Sequence, residues 1–380
     1  MRLMAPRQWS RSDLSGKLRA KPLFPFLSWE QERTLALAFK TTLAAALCWW
    51  IALLFGLHDG YWGSISAIIV MQSYVGTTVT ASRDRLIGTF IGAVFGFLFS
   101  LWNALPWNFA CALMGAMALS GLLRLKNSAR LAGVTVCIVM LVHTNGSHWS
   151  IALGRISEVA LGVVVALGVS TLVFPDRARL RLKDNLAREY LQLGALFEAI
   201  VKGYGGEAAS NVAQLREETQ KSLETNDELM EASRNEPSGG AGWREGLNTL
   251  SQFGWALFDA LGALELAIRG GSEDAYSHQL DPALGLLATD IHNGFHYVAH
   301  CIDRWQFHTA PKDINLEEDI AKLEARLAAV RHTGITFSQD EILRAYAVQL
   351  HLKQIARILR ASRIQTSAAI GEVHGKPVTT

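Results

Sequence analysis

A run of glycines inside an apolar segment constrains this chain more than any other feature. The segment runs from Arg85 to Gly96 (RLIGTFIGAVFG), so that glycine recurs at every fourth residue after a charged start. Residues four apart share one face of a helix. In a lipid-embedded helix such a face lets a second backbone approach closely, because packing rather than hydrophobicity drives association there. The run therefore predicts a helix of a membrane bundle, packed through Gly88, Gly92 and Gly96.

Charged residues are distributed unevenly along the chain of 380 residues. Residues 34–174 hold only seven Lys or Arg and three Asp or Glu, whereas residues 175–380 hold 22 basic and 28 acidic side chains. This split predicts an apolar, basic membrane domain followed by an acidic, soluble one. Residues 1–33 lack the apolar core and cleavage site of a signal peptide, so we expect a cytoplasmic start.

Six apolar segments approach the roughly 20 residues that a helix needs to cross the hydrocarbon core. They are 34–56, 61–80, 86–104, 107–123, 131–147 and 150–174. Lys and Arg occur in every second loop, whereas the loops near Asp59, Pro106 and Asn145 contain none. By the positive-inside rule, both termini then lie in the cytoplasm, and we expect a multi-pass protein of a bacterial inner membrane.

The remaining sequence has helical periodicity and no strand-like alternation. Candidate helices are 177–202, 208–233, 243–269, 283–308, 314–331 and 338–363. We therefore predict an all-α fold: a six-helix transmembrane bundle and a cytoplasmic helical domain. The predicted domains are a cytoplasmic N-terminal segment (1–33), the membrane domain (34–175), the helical domain (176–364) and a flexible tail (365–380).

The membrane segments also repeat weakly with a shift of 70 residues. Arg85 then matches Arg155 and Gly92 matches Gly162, with four further identities between positions 61 and 96 of the first copy. Because each copy holds three spans, the second copy would be inverted, which is the plan of many transporters. The repeat predicts Arg85 at the inner end of its helix and Arg155 at the outer end of its own.

Charged side chains inside a membrane are expensive and usually mark a pathway or a specific partner. Lys40, Arg85, Arg155 and Glu158 fall in this class. Arg155 and Glu158 are three residues apart and can pair on one helix face. This pair is interpreted either as structural or as a protonatable switch in which Glu158 releases Arg155. Three cations against one acid would favour anions and repel metal cations.

Histidines recur on one predicted helix of the C-terminal half, at His292, His296 and His300. Their four-residue spacing can bind zinc or nickel, but no flanking carboxylate or cysteine pattern defines a site, so a solvated or packing face is the preferred interpretation. No nucleotide-binding loop or nucleophile motif is found. We expect no enzyme activity, no cofactor or metal, and no nucleic-acid partner.

Several motifs together resemble those of a known family. They are Tyr61-Trp62-Gly63, Met71-Gln72 followed by Gly76-Thr77-Thr78, Arg85-Leu86-Ile87-Gly88-Thr89 with Gly92, and Arg155-Ile156-Ser157-Glu158 with Gly162 and Phe174-Pro175. This set resembles the fusaric acid resistance family, also called the aromatic acid exporter family. By position, the resemblance implies that Lys40, Arg85 and Arg155 face the anion, with Glu158 as their partner.

The resemblance implies an inner-membrane exporter of aromatic or other organic acids, driven by the proton gradient and sometimes working with a periplasmic adaptor protein. Relatives often carry two copies of the unit and this chain carries one, so we expect a homodimer. Plant aluminium-activated malate transporters share a similar plan and act as anion channels. A passive organic-anion channel and a membrane-anchored scaffold are therefore the alternatives to a proton-coupled exporter.

Overall fold

The computed structural model of the chain describes residues 29–57, 59–102, 106–142, 148–204, 211–236, 241–268, 275–307, 314–331 and 338–373. Throughout these residues the regular structure is helical, without a strand, so the all-helical prediction is confirmed for them. The helices are α1 (Trp29–Leu54), α2 (Tyr61–Val70), α3 (Val75–Ser100), α4 (Pro106–Leu122), α5 (Lys126–Leu141), α6 (His148–Leu172), α7 (Ala178–Tyr204), α8 (Val212–Arg234), α9 (Ala241–Ile268), α10 (Ala275–Arg304), α11 (Leu316–Arg331) and α12 (Gln339–Val373).

The helices pack as two compact units. The apolar unit contains α1 to α6 and the described residues 232–236. The C-terminal unit contains the chain from Arg179 to Glu231 and helices α9 to α12. Its core is formed by large side chains such as Tyr190, Phe197 and Phe295, which are fully buried. Each unit therefore has its own hydrophobic interior.

Two described helices, α1 and α6, contain segments that are long and apolar enough to cross a bilayer, Gln31–Leu54 and Trp149–Leu172. Three shorter apolar helical segments accompany them, Tyr61–Val70, Trp107–Leu122 and Asn127–Leu141. Helix α3 has 26 residues, and it carries Arg83, Asp84 and Arg85 in its first half. Its apolar sequence follows these charges.

The second predicted span, 61–80, is interrupted. Helix α2 ends at Val70, Met71 and Tyr74 are extended, and α3 begins at Val75. The Thr78 hydroxyl accepts a hydrogen bond from the Gln72 N–H (3.1 Å) and donates to the Tyr74 carbonyl (3.0 Å). This side chain thus satisfies the Gln72 N–H, a backbone donor in the break, whereas the Tyr74 carbonyl also accepts the helical hydrogen bond from the Thr78 N–H. Because α3 begins at Val75, Arg85 lies about 15 Å along the helix and not at its N-terminal end, where the predicted span of 86–104 would place it.

Glycines set the closest helix contacts of the apolar unit. A Cβ at Gly92 would lie 2.3 Å from the Ala132 carbonyl oxygen, and Gly88 and Gly96 meet the same helix, α5, at Ser128 and Val139. A Cβ at Gly162 of α6 would lie 2.3 Å from the Gly63 carbonyl oxygen of α2. The predicted glycine face of α3 therefore packs on α5, and α6 packs on α2 in the same way.

Helices α7 (Ala178–Tyr204) and α11 (Leu316–Arg331) begin and end within two residues of their predicted positions, whereas α10 begins at Ala275, eight residues before the predicted start. One difference concerns the tail predicted from residue 365. Helix α12 continues to Val373, and Thr366 is fully buried, so packing extends the helix beyond the expected end. The predicted N-terminal segment lies outside the described residues, except for residues 29–33 at the start of α1.

Candidate functional site

Helix α2 is the element on which the predicted charged residues converge. Gly63, Ser66 and Ala67 on this helix are buried, and a Cβ at Gly63 would lie 3.1 Å from the Glu158 carbonyl oxygen. The small residues of α2 therefore admit α6 to backbone contact. This contact brings the side chains of Arg155 and Glu158 to the first turn of α2.

The guanidinium of Arg155 lies between two carboxylates. One Nη atom donates to Asp59 Oδ2 at 3.0 Å, and the other lies 3.2 Å from Glu158 Oε2. The second contact is an ion pair without hydrogen-bond geometry, because neither of its two atoms has a hydrogen-bond partner. The Trp62 ring covers the same guanidinium, with its centroid 4.6 Å from Cζ. A cation between two acids and an aromatic face is stabilised electrostatically, and the two ionised carboxylates outnumber its single positive charge.

Arg85 has a different environment. It is 3% exposed, and one Nη donates to the Ser66 hydroxyl at 3.3 Å. Among the described residues no carboxylate pairs with it, and its Nε is buried without a partner. Ser82 and Thr89 lie three residues before and four after it on α3, and both of their hydroxyl oxygens are buried without a partner. Arg85 is thus the centre of a buried polar stripe with spare donors.

The repeat predicted Arg85 at the inner end of its helix, whereas the structure places it towards the middle of α3. Arg155 meets α2 at Trp62 and Arg85 meets it at Ser66, so their contact points are about 6 Å apart along one helix. The reason is that α3 begins ten residues before Arg85, which moves this side chain towards the middle of its helix. Both cations therefore belong to one site along α2.

Lys40 lies on α1, which packs against α2 and α6. It is 4% exposed, and it has an interaction partner. The structure thus buries all four charged residues that the sequence singled out. It brings Arg155 and Glu158 of α6 into direct contact, and it places Arg85 of α3 against Ser66 of α2, the helix that Arg155 also contacts.

The family model described as "Fusaric acid resistance protein family" matches residues 34–378. The chain belongs to the fusaric acid resistance protein family. This membership makes it a membrane protein, which agrees with the apolar helices of the first unit.

Curated relatives of this fusaric acid resistance family member are similar over part of their length. One is "Uncharacterized transporter YdhK" of Escherichia coli strain K12, with 28% identity over 151 residues, 37% of this chain and 22% of the relative. Another is "Uncharacterized protein C57A7.05" of Schizosaccharomyces pombe, with 24% identity over 160 residues, 37% of this chain and 12% of the relative. The chain thus matches less than a quarter of the length of these relatives.

Sequence reasoning missed two members of the site in this family member. Asp59 was noted only as a loop marker, although between residues 41 and 82 it is the only Asp, Glu, Lys or Arg, a signal that the sequence does provide. Ser82 was missed because a serine within a helix carries no pattern of its own. Its position three residues before Arg85 becomes informative only when the break at Met71 shows that α3 extends through both.

The predicted histidine face lies on α10 of the C-terminal unit. The rings of His292 and His296 are 4.8 Å apart between centroids, and His292, His296 and His300 each have an interaction partner. Within the described ranges, no three or more His, Cys, Asp or Glu side chains are grouped closely enough to hold a metal ion.

Proposed function

We propose that this chain is a secondary transporter that exports organic anions across the membrane. The observation that carries the proposal is Arg85, a guanidinium that is buried beside hydroxyls and has no carboxylate partner in the described part of the chain. A charged side chain in the middle of a bilayer costs about 3 kcal/mol or more, so its retention calls for a compensating charge. A transported anion supplies that charge.

The donors around Arg85 are suited to a carboxylate. Arg85 offers a planar fork, and Ser66, Ser82 and Thr89 offer hydroxyl groups nearby. A guanidinium with adjacent hydroxyls can bind both oxygens of a carboxylate at once, which gives orientation as well as charge balance. Family membership and the name of the E. coli relative support a transport role.

We further propose that α1 to α6 form six spans arranged as an inverted repeat, with both termini and the helices beyond residue 178 in the cytoplasm. The reciprocal glycine contacts support this arrangement. Gly92 of α3 packs on the middle helix of the second copy, α5, and its equivalent Gly162 of α6 packs on the middle helix of the first, α2. Sites near the midplane between such repeats are common in transporters.

Glu158 is the proposed proton-coupling residue. It is buried and touches Arg155, which also binds Asp59. A proton on Glu158 removes one of the two negative charges that hold Arg155, and thereby frees donors of this guanidinium. The binding of a proton and the binding of an anion are then thermodynamically linked at one cluster. Coupled transport requires such a linkage.

Reconstituted protein in proteoliposomes tests the proposal, with a panel of mono- and dicarboxylates that includes benzoate and malate. We expect Arg85→Gln to reduce uptake by about tenfold or more, since the variant removes the uncompensated cation. Glu158→Gln should retain anion binding while losing the accompanying change in luminal pH. Arg83→Gln is the matched control, because Arg83 lies two residues away on α3 and is exposed.

Two outcomes would contradict the proposal. The first is wild-type protein that moves none of the panel. The second is an Arg85→Gln variant that remains folded in size-exclusion chromatography and transports at the wild-type rate.

A passive anion channel is the second candidate function, since an Arg85 without a carboxylate partner also favours anions without coupling. Current recordings separate the two, because a channel passes far more ions per second and moves no protons in step with them.

The proposed assembly is a homodimer, and a periplasmic adaptor protein is its proposed partner. Large apolar side chains of α1 and the residue after it, among them Trp50 and Phe55, are 70% and 78% exposed in the single chain. Lipid or a second copy can cover such a face. Cross-linking in native membranes distinguishes these occupants.

A further inference from the structure

Asp59 is the exposed member of the Arg155 cluster. Its side chain is 43% exposed, whereas those of Arg155 and Glu158 are each 6% exposed. Asp59 also makes the aligned hydrogen bond to Arg155, whereas the Glu158 contact lacks hydrogen-bond geometry. The carboxylate that satisfies the guanidinium is therefore the one that solutes can reach.

A short turn holds Asp59 at this position. Gly56 adopts a positive φ of 65°, which is a conformation that glycine readily adopts, and the Leu57 N–H donates to the Ala52 carbonyl (3.0 Å). On the other side, the Trp62 N–H donates to the Asp59 carbonyl at 3.0 Å, just where α2 begins. Backbone hydrogen bonds thus attach the turn to the ends of α1 and α2. Among the contacts found in the described residues, only the Asp59 carboxylate joins this turn to Arg155.

The charges of this cluster favour an incoming carboxylate that replaces Asp59 over one that binds in addition to it. Arg155 carries one positive charge, and Asp59 and Glu158 together carry two negative charges when ionised. A third carboxylate would meet net repulsion, whereas a carboxylate that takes the place of Asp59 leaves the count unchanged. The Nη of Arg155 that binds Asp59 also keeps a carboxylate partner in the exchange, so this donor does not lose its hydrogen bond.

We propose that Asp59 is an internal counter-ion that closes the Arg155 end of the site until the carboxylate of a transported anion replaces it on the guanidinium. The proposal rests on the proposed function and adds a gating and affinity-setting role for a residue outside the buried pair. Asp59 then competes with the anion, because both bind the same donors. The apparent affinity for the anion is reduced by the fraction of protein in which Asp59 occupies Arg155.

Uptake of benzoate by proteoliposomes that contain the full chain tests this exchange. We expect Asp59→Asn to lower the KM for benzoate by about tenfold, the factor for an Asp59-bound state that is nine-tenths populated. Asp59→Glu should keep KM within about twofold of wild type, because a carboxylate remains. Asp84→Asn serves as the matched control, since this acid of the same unit binds Asn127 instead of Arg155.

A second pair of variants tests whether the effect passes through Arg155. In the Arg155→Gln background, adding Asp59→Asn should produce no further fall in KM, because the shared donor is already absent. An additive fall would overturn the exchange, as would an unchanged or raised KM in Asp59→Asn alone. Where benzoate is not taken up, the same variants are measured with an acid of the panel that is. Absence of saturable uptake of every acid of the panel by the wild type would instead remove the proposed function and this proposal together, so the two failures are distinguishable.

Discussion

At the scale of single residues, the C-terminal unit contains a buried acid that the site does not use. Glu189 of α7 is fully buried, its Oε2 accepts a hydrogen bond from Asn226 (2.5 Å), and its Oε1 has no partner. Burial raises the pKa of Glu189 to about 8, against the smaller opposing effect of the Asn226 hydrogen bond. The nearby charge of Asp227 also raises this pKa. Glu189 is therefore protonated in the folded protein at neutral pH.

The stability of the C-terminal unit should consequently depend on pH through Glu189. The folded protein binds this proton up to about pH 8, whereas the unfolded chain releases it near pH 4.5. The contribution of this proton to the free energy of unfolding is fully present below pH 4.5 and is lost as the pH rises through 8. The loss between pH 5 and 8 amounts to about 3 kcal/mol. We expect Glu189→Gln to remove this loss, as measured by thermal unfolding of the detergent-solubilised chain at a series of pH values.

An exposed acid of the same unit provides the comparison for Glu189. Glu217→Gln alters one charge on α8, and its side chain faces solvent to a much greater extent. This variant should show the wild-type pH dependence. If Glu189→Gln and wild type lose stability in parallel between pH 5 and 8, the buried carboxyl is not responsible.

At the scale of helices, the glycine spacing identified α3 correctly as a packed helix, but the break before it was not predicted. The residues from Tyr61 to Thr80 form one apolar stretch in sequence, and Tyr74 at the start of α3 makes no side-chain cap. The break depends on the Thr78 hydroxyl, which bonds to backbone atoms of Gln72 and Tyr74 across it. These contacts are local in sequence, but a hydropathy pattern does not report side-chain hydrogen bonds to the backbone.

Sequence patterns also do not report which side chains of the site contact one another. The position of a charge within an apolar segment selected Lys40, Arg85, Arg155 and Glu158, because such charges are few. The partner of each charge depends on which helix faces α2, and that follows from the small residues Gly63 and Gly162 meeting across two distant segments. Sequence therefore predicted the members of the site better than their arrangement.

The contact between α6 and α2 can be tested with a pair of glycines on one helix. A Cβ at Gly162 would lie 2.3 Å from the Gly63 carbonyl oxygen, whereas a Cβ at Gly168 meets nothing within 4 Å. We expect Gly162→Ala to destabilise the apolar unit by about 1–3 kcal/mol, through forced separation of two backbones. Gly168→Ala should be neutral or stabilising by up to about 1 kcal/mol. Unfolding in detergent with a graded denaturant measures both, and equal stability of the two variants would contradict the close contact.

At the scale of the whole molecule, the two units differ in the way expected of a protein that is partly in a bilayer. Large apolar side chains of the first unit are exposed on α1, α3 and α6, for example Leu54, Phe90 and Val164. Lipid is the environment in which such exposure costs nothing. The C-terminal unit buries its largest apolar side chains, such as Tyr190, Phe197 and Phe295, and exposes only scattered leucines and an isoleucine among its described residues; it also carries most of the charges of the chain. This contrast supports a boundary close to residue 178.

The proposed topology makes a prediction that reporter fusions in a bacterial host can test. Six spans with cytoplasmic termini place the end of α3 outside and the turn between α4 and α5 inside. Alkaline phosphatase, which is active only after export, should therefore be active when fused after Trp102 and inactive when fused after Leu125. The charges agree with this assignment, since Arg124, Lys126 and Arg130 surround the second position and the first has none nearby. A soluble reporter that folds only in the cytoplasm should give the opposite result at both positions. If α3 and α4 do not cross the membrane, each reporter will report the same side at Trp102 and Leu125, and the six-span arrangement fails.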